Sequence, residues 1–285
     1  MNFGVCAILK NENLYLREWV EHYINLGFDK IILYDNNEIN GEIPNVVIQD
    51  YIDKGIVDVY SEFRGKKQIS SNYNGSDSWT PQVEAYNKCL NDYKDTLNWI
   101  LFVDIDEFLT LEKHKKIQYV FEDINYSIFD DLLIGSIFYG DDGQLYYTNQ
   151  NVQERFTKIV DNCLEGSDVS CNTTFKCFAN TENDKKFKLS VHHRHDSIRG
   201  NTNYYYIEIQ DNLCTNFGKE CHSIMYLKHY YTKSLTEFLY KLKYCSWDKN
   251  FQYYKQKNYK VLNEWTEEHE KLYQNIIENN TDIQL

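Results

Sequence analysis

The sequence is poor in features that would divide the chain or attach it to a membrane. Its 285 residues include only 2 prolines and 12 glycines, and no internal repeat or low-complexity linker marks a domain boundary. No apolar run approaches the roughly 20 residues of a transmembrane helix. Residues 1–9 lack the basic start of a signal peptide, and Lys10, Asn11 and Glu12 interrupt the apolar stretch. We therefore expect a cytoplasmic protein, with peripheral contact at the inner face of a membrane left open.

Basic residues and short ligand-binding motifs are also scarce. The chain has 30 Lys and Arg against 43 Asp and Glu, and this formal net charge of -13 disfavours nucleic acid or an anionic membrane as the main partner. A nucleotide stays open, because a divalent cation can neutralise its diphosphate. The 8 Cys include no C-x2-C pair, which disfavours structural zinc. The absence of G-x-G-x-x-G and Walker A sequences disfavours dinucleotide oxidoreductases and P-loop enzymes.

Apolar strands and amphipathic helices alternate in the first half of the chain. Strands are predicted at residues 3–9, 30–34, 56–60 and 99–103. Helices are predicted around residues 16–24, with Gly27 at the C-terminal cap, and from Pro81 onward, with Thr80 as the N-cap. This order predicts an α/β fold whose mostly parallel central sheet is flanked by helices.

The second half reads as a smaller β region followed by helices. Strands are predicted at residues 133–139, 173–179, 187–192 and 204–209, and helices at 234–244 and 259–278. Glu264, Glu267, Glu268 and Glu270 make the last helix acidic, so it is expected to cover the core rather than to dock on a membrane.

Acidic side chains follow two of the predicted parallel strands. Asp35 ends the second strand, and Asp104, Asp106 and Glu107 follow the apolar strand at residues 99–103. Because ligands bind beyond the carboxyl ends of parallel strands, these side chains should face one crevice. Two hard oxygen ligands in a D-x-D motif suit Mn²⁺ or Mg²⁺ holding a diphosphate. An exposed acidic loop, or a simple turn at Asp35, is the structural alternative.

An ordered set of motifs resembles the GT-A glycosyltransferases of the family 2 and family 92 type. The motifs are Cys6-Ala7-Ile8-Leu9-Lys10-Asn11-Glu12, Leu16-x-Glu18-Trp19-Val20-x-His22-Tyr23, Leu26-Gly27-Phe28-Asp29, Tyr34-Asp35-Asn36, Gln82-x3-Tyr86-x2-Cys89, Trp99-x2-Phe102-x-Asp104-x-Asp106-Glu107-Phe108, Tyr139-Gly140-Asp141-x-Gly143, Glu154-Arg155-Phe156 and His229-Tyr230-x-Thr232-Lys233-Ser234. The resemblance covers about residues 3–245 and implies a GT-A domain over residues 1–250. Its nucleotide-binding half would span residues 1–110, its acceptor-side half 111–250, and a helical extension 251–285.

The resemblance also implies an activity and a set of site residues. It implies a hexosyltransferase that moves a sugar, with inversion, from a nucleotide-sugar donor such as a UDP-sugar to a glycan, lipid-linked glycan or other hydroxyl acceptor. Ala7, Asn11, Glu12, Asp35 and Asp104 would line the donor site, Lys233 would meet the diphosphate, and Asp104, Asp106 and His229 would hold the metal.

The identity of the catalytic base and of the acceptor stays open. Asp141 lies in a matched motif and is the first candidate for the base, with Glu107 and Asp142 as rivals. Glu107 could instead hold the D-x-D loop through backbone N–H groups. The segment at residues 136–139 reads Ser-Ile-Phe-Tyr where related sequences often have Trp, which leaves the acceptor undefined.

Several residues keep competing interpretations. His229 could merely pack among neighbouring tyrosines. Lys176 and Arg155 are candidates to face an anionic donor, although Arg155 could equally be a paired structural charge. The alternatives to an active transferase are a non-catalytic carbohydrate-binding protein on the same fold and a sugar nucleotidyltransferase. The latter is disfavoured because residues 10–13 contain no glycine.

Overall fold

The computed structural model describes residues 1–67, 81–123, 126, 129–159, 175–182, 204–207 as backbone only, 224–241, 266–278, 283 and 285. The strands are β1 Phe3–Leu9, β2 Lys30–Asp35, β3 Val57–Tyr60, β4 Trp99–Phe102, β5 Glu107–Leu111, β6 Asp131–Phe138, β7 Phe175–Asn180, β8 Tyr204–Ile207 and β9 Met225–His229. The helices are α1 Asn13–Asn25, α2 Asn45–Asp53, α3 Pro81–Tyr93, α4 Ile117–Asp123, α5 Val152–Arg155, α6 Leu235–Tyr240 and α7 Glu267–Tyr273, and a π-helical turn Gln274–Glu278 follows α7.

The described strands form one sheet. Their order is β3-β2-β1-β4-β7-β6-β9-β5, and β8 pairs with β6. The four strands β3, β2, β1 and β4 are parallel, whereas β7 runs antiparallel to both β4 and β6. The predicted fold class, α/β with a mostly parallel central sheet flanked by helices, is confirmed. The strands β1 to β4 follow the predicted positions to within one residue at each end.

Helices cover both faces of the parallel strands, which explains why these strands are apolar on both faces. On one face, Tyr86 and Cys89 of α3 pack against Cys6 and Ile32 of the sheet. On the other face, aromatic rings from several elements meet: Phe3–Phe121 centroids lie 4.8 Å apart, Trp99–Phe121 5.1 Å and Phe28–Phe178 6.0 Å.

The end of α1 shows how a single glycine fixes the path into β2. Gly27 has a φ of 87°, and its N–H donates to the carbonyl of Ile24 at 3.0 Å, while the N–H of Phe28 donates to Tyr23 at 3.1 Å. A left-handed residue is the usual end of a helix with these bonds. A Cβ at this position would also lie 2.6 Å from Oε1 of Gln118. Both the backbone conformation and the space therefore require the predicted glycine.

The chain divides into two compact units. The first comprises Met1–Ser136 and Thr174–Leu227, and the second Ile137–Thr173 and Lys228–Leu285. Within the second unit, Tyr273 and Ile276 pack with Leu235, Phe238 and Leu239 of α6. None of the helices in the described ranges combines the length and apolar character needed to cross a bilayer.

Some predicted elements differ in extent or lie outside the described residues. The helix predicted at 259–278 is α-helical only over Glu267–Tyr273, and residues 259–265 are not described. The predicted strand at 187–192 and the predicted cap Thr80 also lie outside the described residues. The short elements that were not predicted from the sequence include β5, α2, α4 and α5.

Candidate active site

The D-x-D loop lies between β4 and β5, and side chains of α1 hold its backbone. The indole N–H of Trp19 lies 3.2 Å from the carbonyl oxygen of Asp104 and 3.0 Å from that of Glu107. The hydroxyl of Tyr23 donates to the same Glu107 carbonyl at 3.1 Å. The N–H of Glu107 donates to the carbonyl of Asp104 at 3.1 Å and closes the turn. Two aromatic residues of the α1 motif therefore fix the loop that presents the carboxylates.

The carboxylates of the loop are themselves held by hydrogen bonds. The buried Glu107 accepts the N–H of Asp104 at Oε2, at 2.9 Å, which is the structural role that the sequence left open for it. Asp104 accepts Nε2 of Gln82 at Oδ1, at 2.7 Å. Tyr86, one turn further along α3, donates to the carbonyl of Val103 at 3.1 Å. The Gln82-x3-Tyr86 motif thus anchors the end of β4.

A buried lysine ammonium lies among these acids. Nζ of Lys176, on the antiparallel strand β7, is 2.6 Å from Oδ2 of Asp104 and 3.4 Å from Oε2 of Glu107. Burial alone would lower the pKa of Lys176, but the charges of Asp104, Glu107 and Asp106 raise it above its ordinary value. Lys176 therefore stays cationic inside the site. That Lys176 also faces the anionic donor stays a prediction.

The charges around Lys176 fit a divalent cation. Three carboxylates, those of Asp104, Asp106 and Glu107, and one ammonium leave a net formal charge of -2. Carboxylate oxygens are the ligands that Mg²⁺ and Mn²⁺ prefer. Across the described ranges, no group of three or more His, Cys, Asp and Glu side chains is arranged to hold a metal. A cation at this loop would accordingly need ligands from a bound molecule or from another segment.

The ends of β1 and β2 share a second polar network. Both oxygens of the buried Asp35 are engaged: Oδ1 accepts the N–H and Nδ2 of Asn37, at 2.8 and 2.7 Å, and Oδ2 pairs with Nη1 of Arg64. Oδ1 of Asn37 accepts the N–H of Asn11 at 2.7 Å. The structure thus brings the predicted donor residues Asn11 and Asp35 together, through Asn37 and Arg64, which the sequence analysis missed. Because β2 and β4 both run parallel to β1, Asp35 and Asp104 lie at the same edge of the sheet.

Ala7 and Glu12, the other two residues predicted to line the nucleoside site, lie close to Asn11 in the chain. Ala7 is fully buried in β1 opposite Leu33 of β2. Glu12 immediately precedes α1, and its carbonyl accepts the N–H groups of Tyr15 and Leu16 at 3.0 Å. Their contact with a nucleoside stays a prediction.

In the second unit, Asp141 and Asp142 begin a tight turn, in which the N–H of Gln144 donates to the carbonyl of Asp141 at 2.9 Å. The Asp142 carboxylate accepts the N–H and hydroxyl of Thr157, both at 3.0 Å, and the N–H of Lys158 at 3.1 Å. Asp142 thus ties the turn to residues 157–158, which makes it a weaker candidate for the base.

Asp141 has a different partner. Its side chain is fully buried, and Oδ2 lies 3.2 Å from Nε2 of His269 at the start of α7. The sequence analysis did not identify His269, because no motif covers it and 128 residues separate the two positions.

His229, the predicted metal ligand, lies at the end of β9 among aromatic rings. Its ring centroid is 4.5 Å from that of Phe138 and 5.7 Å from that of Tyr231. Such ring contacts are expected if His229 merely packs among aromatic side chains, although Phe138 was not among the expected neighbours. Its pairing with Asp106 at a metal stays a prediction.

Lys233 precedes α6 and has a φ of 57°. Next to it, Ser234 and Glu237 form a capping box at the start of α6. The Glu237 carboxylate also binds both terminal nitrogens of Arg155 at 2.8 Å, and both side chains are about 1% exposed. Arg155 is therefore a paired structural charge, and the alternative that placed it facing a donor is not supported.

Backbone strain coincides with the predicted site. In the described part of the chain, the only non-glycine residues with positive φ are Asn11, Asp142 and Lys233. Such conformations cost roughly 1–3 kcal/mol and concentrate at functional sites. Two of these three residues were predicted to contact the donor.

Similarity to known proteins agrees with the motifs. The model of glycosyltransferase family 92 matches residues 2–277. The chain belongs to glycosyltransferase family 92. This confirms the family 92 resemblance stated from the motifs.

Curated family 92 proteins from plants align with part of the chain. One from Oryza sativa subsp. japonica is 28% identical over 125 residues, which cover 44% of this chain and 18% of that protein. One from Arabidopsis thaliana is 31% identical over 115 residues, which cover 39% and 17%. The alignments thus span less than a fifth of the length of these family 92 relatives.

Solved structures of two proteins, TarS and LgtC, are also similar to the chain at low sequence identity. Residues 1–349 of S. aureus TarS are 13% identical, with a TM-score of 0.39, covering 84% of this chain and 63% of that one. The same TarS fragment in complex with UDP-GlcNAc is 15% identical, with a TM-score of 0.37, covering 76% and 62%. An active-site mutant of LgtC is 10% identical, with a TM-score of 0.39, covering 94% and 99%.

Proposed function

We propose that this family 92 chain transfers a hexosyl group, with inversion, from a UDP-sugar to a hydroxyl group of a glycan or lipid-linked glycan. The observation that supports this most is the acidic loop after β4. Trp19 holds the backbone of this loop, and Gln82 and Lys176 contact its carboxylates. Together with Lys176, the carboxylates keep a formal charge of -2. A site with this charge at the carboxyl edge of a parallel sheet suits a diphosphate together with a divalent cation.

The metal of this proposal is Mn²⁺ or Mg²⁺, which Asp104 and Asp106 would hold, with His229 as a third ligand that would join the site only when the donor is bound. A bound divalent cation stabilises the negative charge that develops on the departing nucleotide diphosphate. An imidazole ligand beside two carboxylates favours Mn²⁺ over Mg²⁺. Glu107 keeps the loop closed by accepting the N–H of Asp104.

The donor is proposed to bind along the edge formed by β1, β2 and β4. Ala7, Asn11, Glu12 and Asp35 line the nucleoside site, and Lys233 meets the diphosphate. The network that links Asp35, through Asn37, to the backbone of Asn11 would keep this region rigid before the donor binds. Rigid, preorganised sites lose less entropy on binding.

Asp141 is proposed as the base. Its carboxylate takes the proton of the acceptor hydroxyl while the acceptor oxygen bonds to the anomeric carbon of the sugar. The bond from that carbon to the phosphate oxygen of the donor breaks, and the nucleotide leaves with the electron pair. The rivals are less suitable, because the Asp142 carboxylate binds residues 157–158 and Glu107 binds the D-x-D loop and Lys176.

A screen of nucleotide sugars for donor hydrolysis tests the proposal. We expect the purified protein to hydrolyse one UDP-sugar with Mn²⁺ and not with EDTA. Asp106→Asn should abolish this reaction, whereas Asp95→Asn, a control at an exposed position, should keep it. Hydrolysis that is unchanged by EDTA would contradict the metal. No hydrolysis of any nucleotide sugar would contradict the transferase and favour a carbohydrate-binding protein.

A further inference from the structure

The C-terminal helix contributes one buried polar side chain to the proposed catalytic turn. We propose that His269 is a positioning residue that orients the carboxylate of Asp141, an inference that rests on Asp141 being the base. It makes α7 part of the active centre and not only a cover for the core.

The contact between the two side chains is shielded from water. Asp141 is 0% exposed and His269 2% exposed, with Nε2 and Oδ2 3.2 Å apart. A buried carboxylate without hydrogen-bond donors would be costly, so each donor it does find constrains its orientation. A single N–H at Oδ2 fixes the rotation of the carboxylate about its Cβ–Cγ bond.

The other ring nitrogen of His269 shows which tautomer makes this bond. The N–H of Thr266 donates to Nδ1 at 3.3 Å, and the Thr266 hydroxyl lies 2.7 Å from the same nitrogen. A nitrogen that accepts an N–H cannot itself carry a hydrogen in that direction. This arrangement favours a hydrogen on Nε2, directed toward Oδ2 of Asp141.

The rest of the second unit holds this arrangement in place. Tyr273 and Ile276, beyond His269 in the chain, pack on α6. The first N–H groups of α6, from Leu235 and Thr236, donate to the carbonyls of Gln144 and Leu145 at 3.0 and 2.9 Å. Helix α6 therefore contacts both the turn that carries Asp141 and the helix that carries His269, and the two side chains meet as a consequence.

The tautomer can be measured without any substrate. The protein contains 8 His, so the ¹⁵N signals of His269 are identified as those lost in the His269→Gln variant. We expect a proton on Nε2 of His269. An unprotonated Nε2, with the ring hydrogen on Nδ1 alone, would overturn the inference, because His269 would then have no hydrogen to donate to Oδ2 of Asp141.

Two variants separate positioning from simple packing. In His269→Gln the amide oxygen can replace Nδ1 as the cap acceptor, as Gln does in a capping box, and its NH₂ can replace Nε2–H. In His269→Leu a side chain of similar bulk has no donor. We expect His269→Leu to lower kcat for Mn²⁺-dependent hydrolysis of the UDP-sugar by up to about 100-fold, with little change in KM. His269→Gln should recover most of this loss.

The controls keep the inference distinct from the proposed function. His114→Leu, at a position in the first unit, should leave kcat unchanged. Equal losses in His269→Gln and His269→Leu, with both variants folded, would mean that His269 only packs, and would overturn the inference. If His269→Leu does not fold, the inference is tested by the proton position on the His269 ring and by the activity of His269→Gln. If the wild type hydrolyses no donor, the proposed function fails. The position of the proton on the His269 ring then decides alone whether His269 donates to Asp141.

Discussion

Two side-chain clusters in the described part of the chain, the cluster of Asp104, Glu107 and Lys176 and the cluster of Asp141 and His269, place carboxylates in different electrostatic settings. In the first unit, Asp104 and Glu107 surround the buried ammonium of Lys176, and the Asp104 side chain remains 34% exposed. In the second unit, Asp141 is fully buried and is paired with the imidazole of His269. The first cluster contains an internal cation and still has excess negative charge, whereas in the second an acid pairs with a histidine ring.

This difference indicates a division of labour. Excess negative charge around a partly exposed loop attracts a divalent cation. A carboxylate that a hydrogen-bond donor holds in one orientation is suited to accept a proton from an acceptor hydroxyl. The predictions below test this division, from the largest expected effect to the smallest.

Asp141→Asn, in the second cluster, should have the largest effect, which is a loss of catalytic rate. Loss of a general base costs on the order of 10²–10⁴ in rate. We expect a decrease of this size in kcat for UDP-sugar hydrolysis, while the Mn²⁺-dependent affinity for UDP stays the same. Asp142→Asn is the matched control: it should lower thermal stability, because Asp142 binds residues 157–158, and leave kcat near wild type. The opposite pattern would make Asp142 the base.

Arg155→Met tests the structural charges of the second unit. It should lower the free energy of unfolding by about 3–5 kcal/mol, because the Glu237 carboxylate is left buried and unpaired. The double variant Arg155→Met/Glu237→Gln should recover most of that loss, since Gln keeps the capping box with Ser234. Chemical denaturation measures both. If the single variant is as stable as the wild type, the pair is not structural.

Lys176→Met tests whether the buried ammonium acts as an internal cation in the first cluster. Without metal, loss of the charged hydrogen bond to Asp104 should destabilise the protein by about 1.5–3 kcal/mol. Added Mn²⁺ should restore stability in Lys176→Met more than in the wild type, because the variant has one more uncompensated negative charge. Denaturation curves with Mn²⁺ and with EDTA measure this. Equal responses of the two proteins to Mn²⁺ would contradict the interpretation of Lys176 as an internal cation.

Trp19→Phe should have the smallest effect. The indole N–H supports the carbonyls of Asp104 and Glu107, so its loss should cost about 1 kcal/mol of stability. Tyr23→Phe, which removes a donor to the same Glu107 carbonyl, should cost a similar amount. Urea unfolding of the two variants checks this, and unchanged midpoints would mean that the loop does not depend on α1.

The parallel half of the fold could be predicted because its signals are local. Short continuous apolar runs, the stripe on α1 and the cap at Gly27 each depend on residues close in the chain. The same holds for Asp35 and Asp104, because parallel strands necessarily end at one edge of the sheet. The strand β5 was missed because it begins at Glu107, inside the motif that had been assigned to the loop.

The partners of the site residues could not be predicted in the same way. Lys176 reaches Asp104 only because β7 runs antiparallel to β4, 72 residues later in the chain. His269 follows a Thr266 that caps its own helix, so its local pattern indicates an ordinary helix start. Its contact with Asp141 depends on how α7 packs on α6, and no short-range pattern encodes that packing.

The binding of UDP with and without Mn²⁺ tests the central claim most directly. We predict that UDP with Mn²⁺ raises the melting temperature of the wild type and that UDP with EDTA raises it much less. At 100 times the dissociation constant, binding to the folded state alone contributes about 2.7 kcal/mol. Asp106→Asn should lose the Mn²⁺-dependent part of the shift. Equal shifts with Mn²⁺ and with EDTA, or an undiminished shift in Asp106→Asn, would contradict a metal-assisted donor site at the loop after β4.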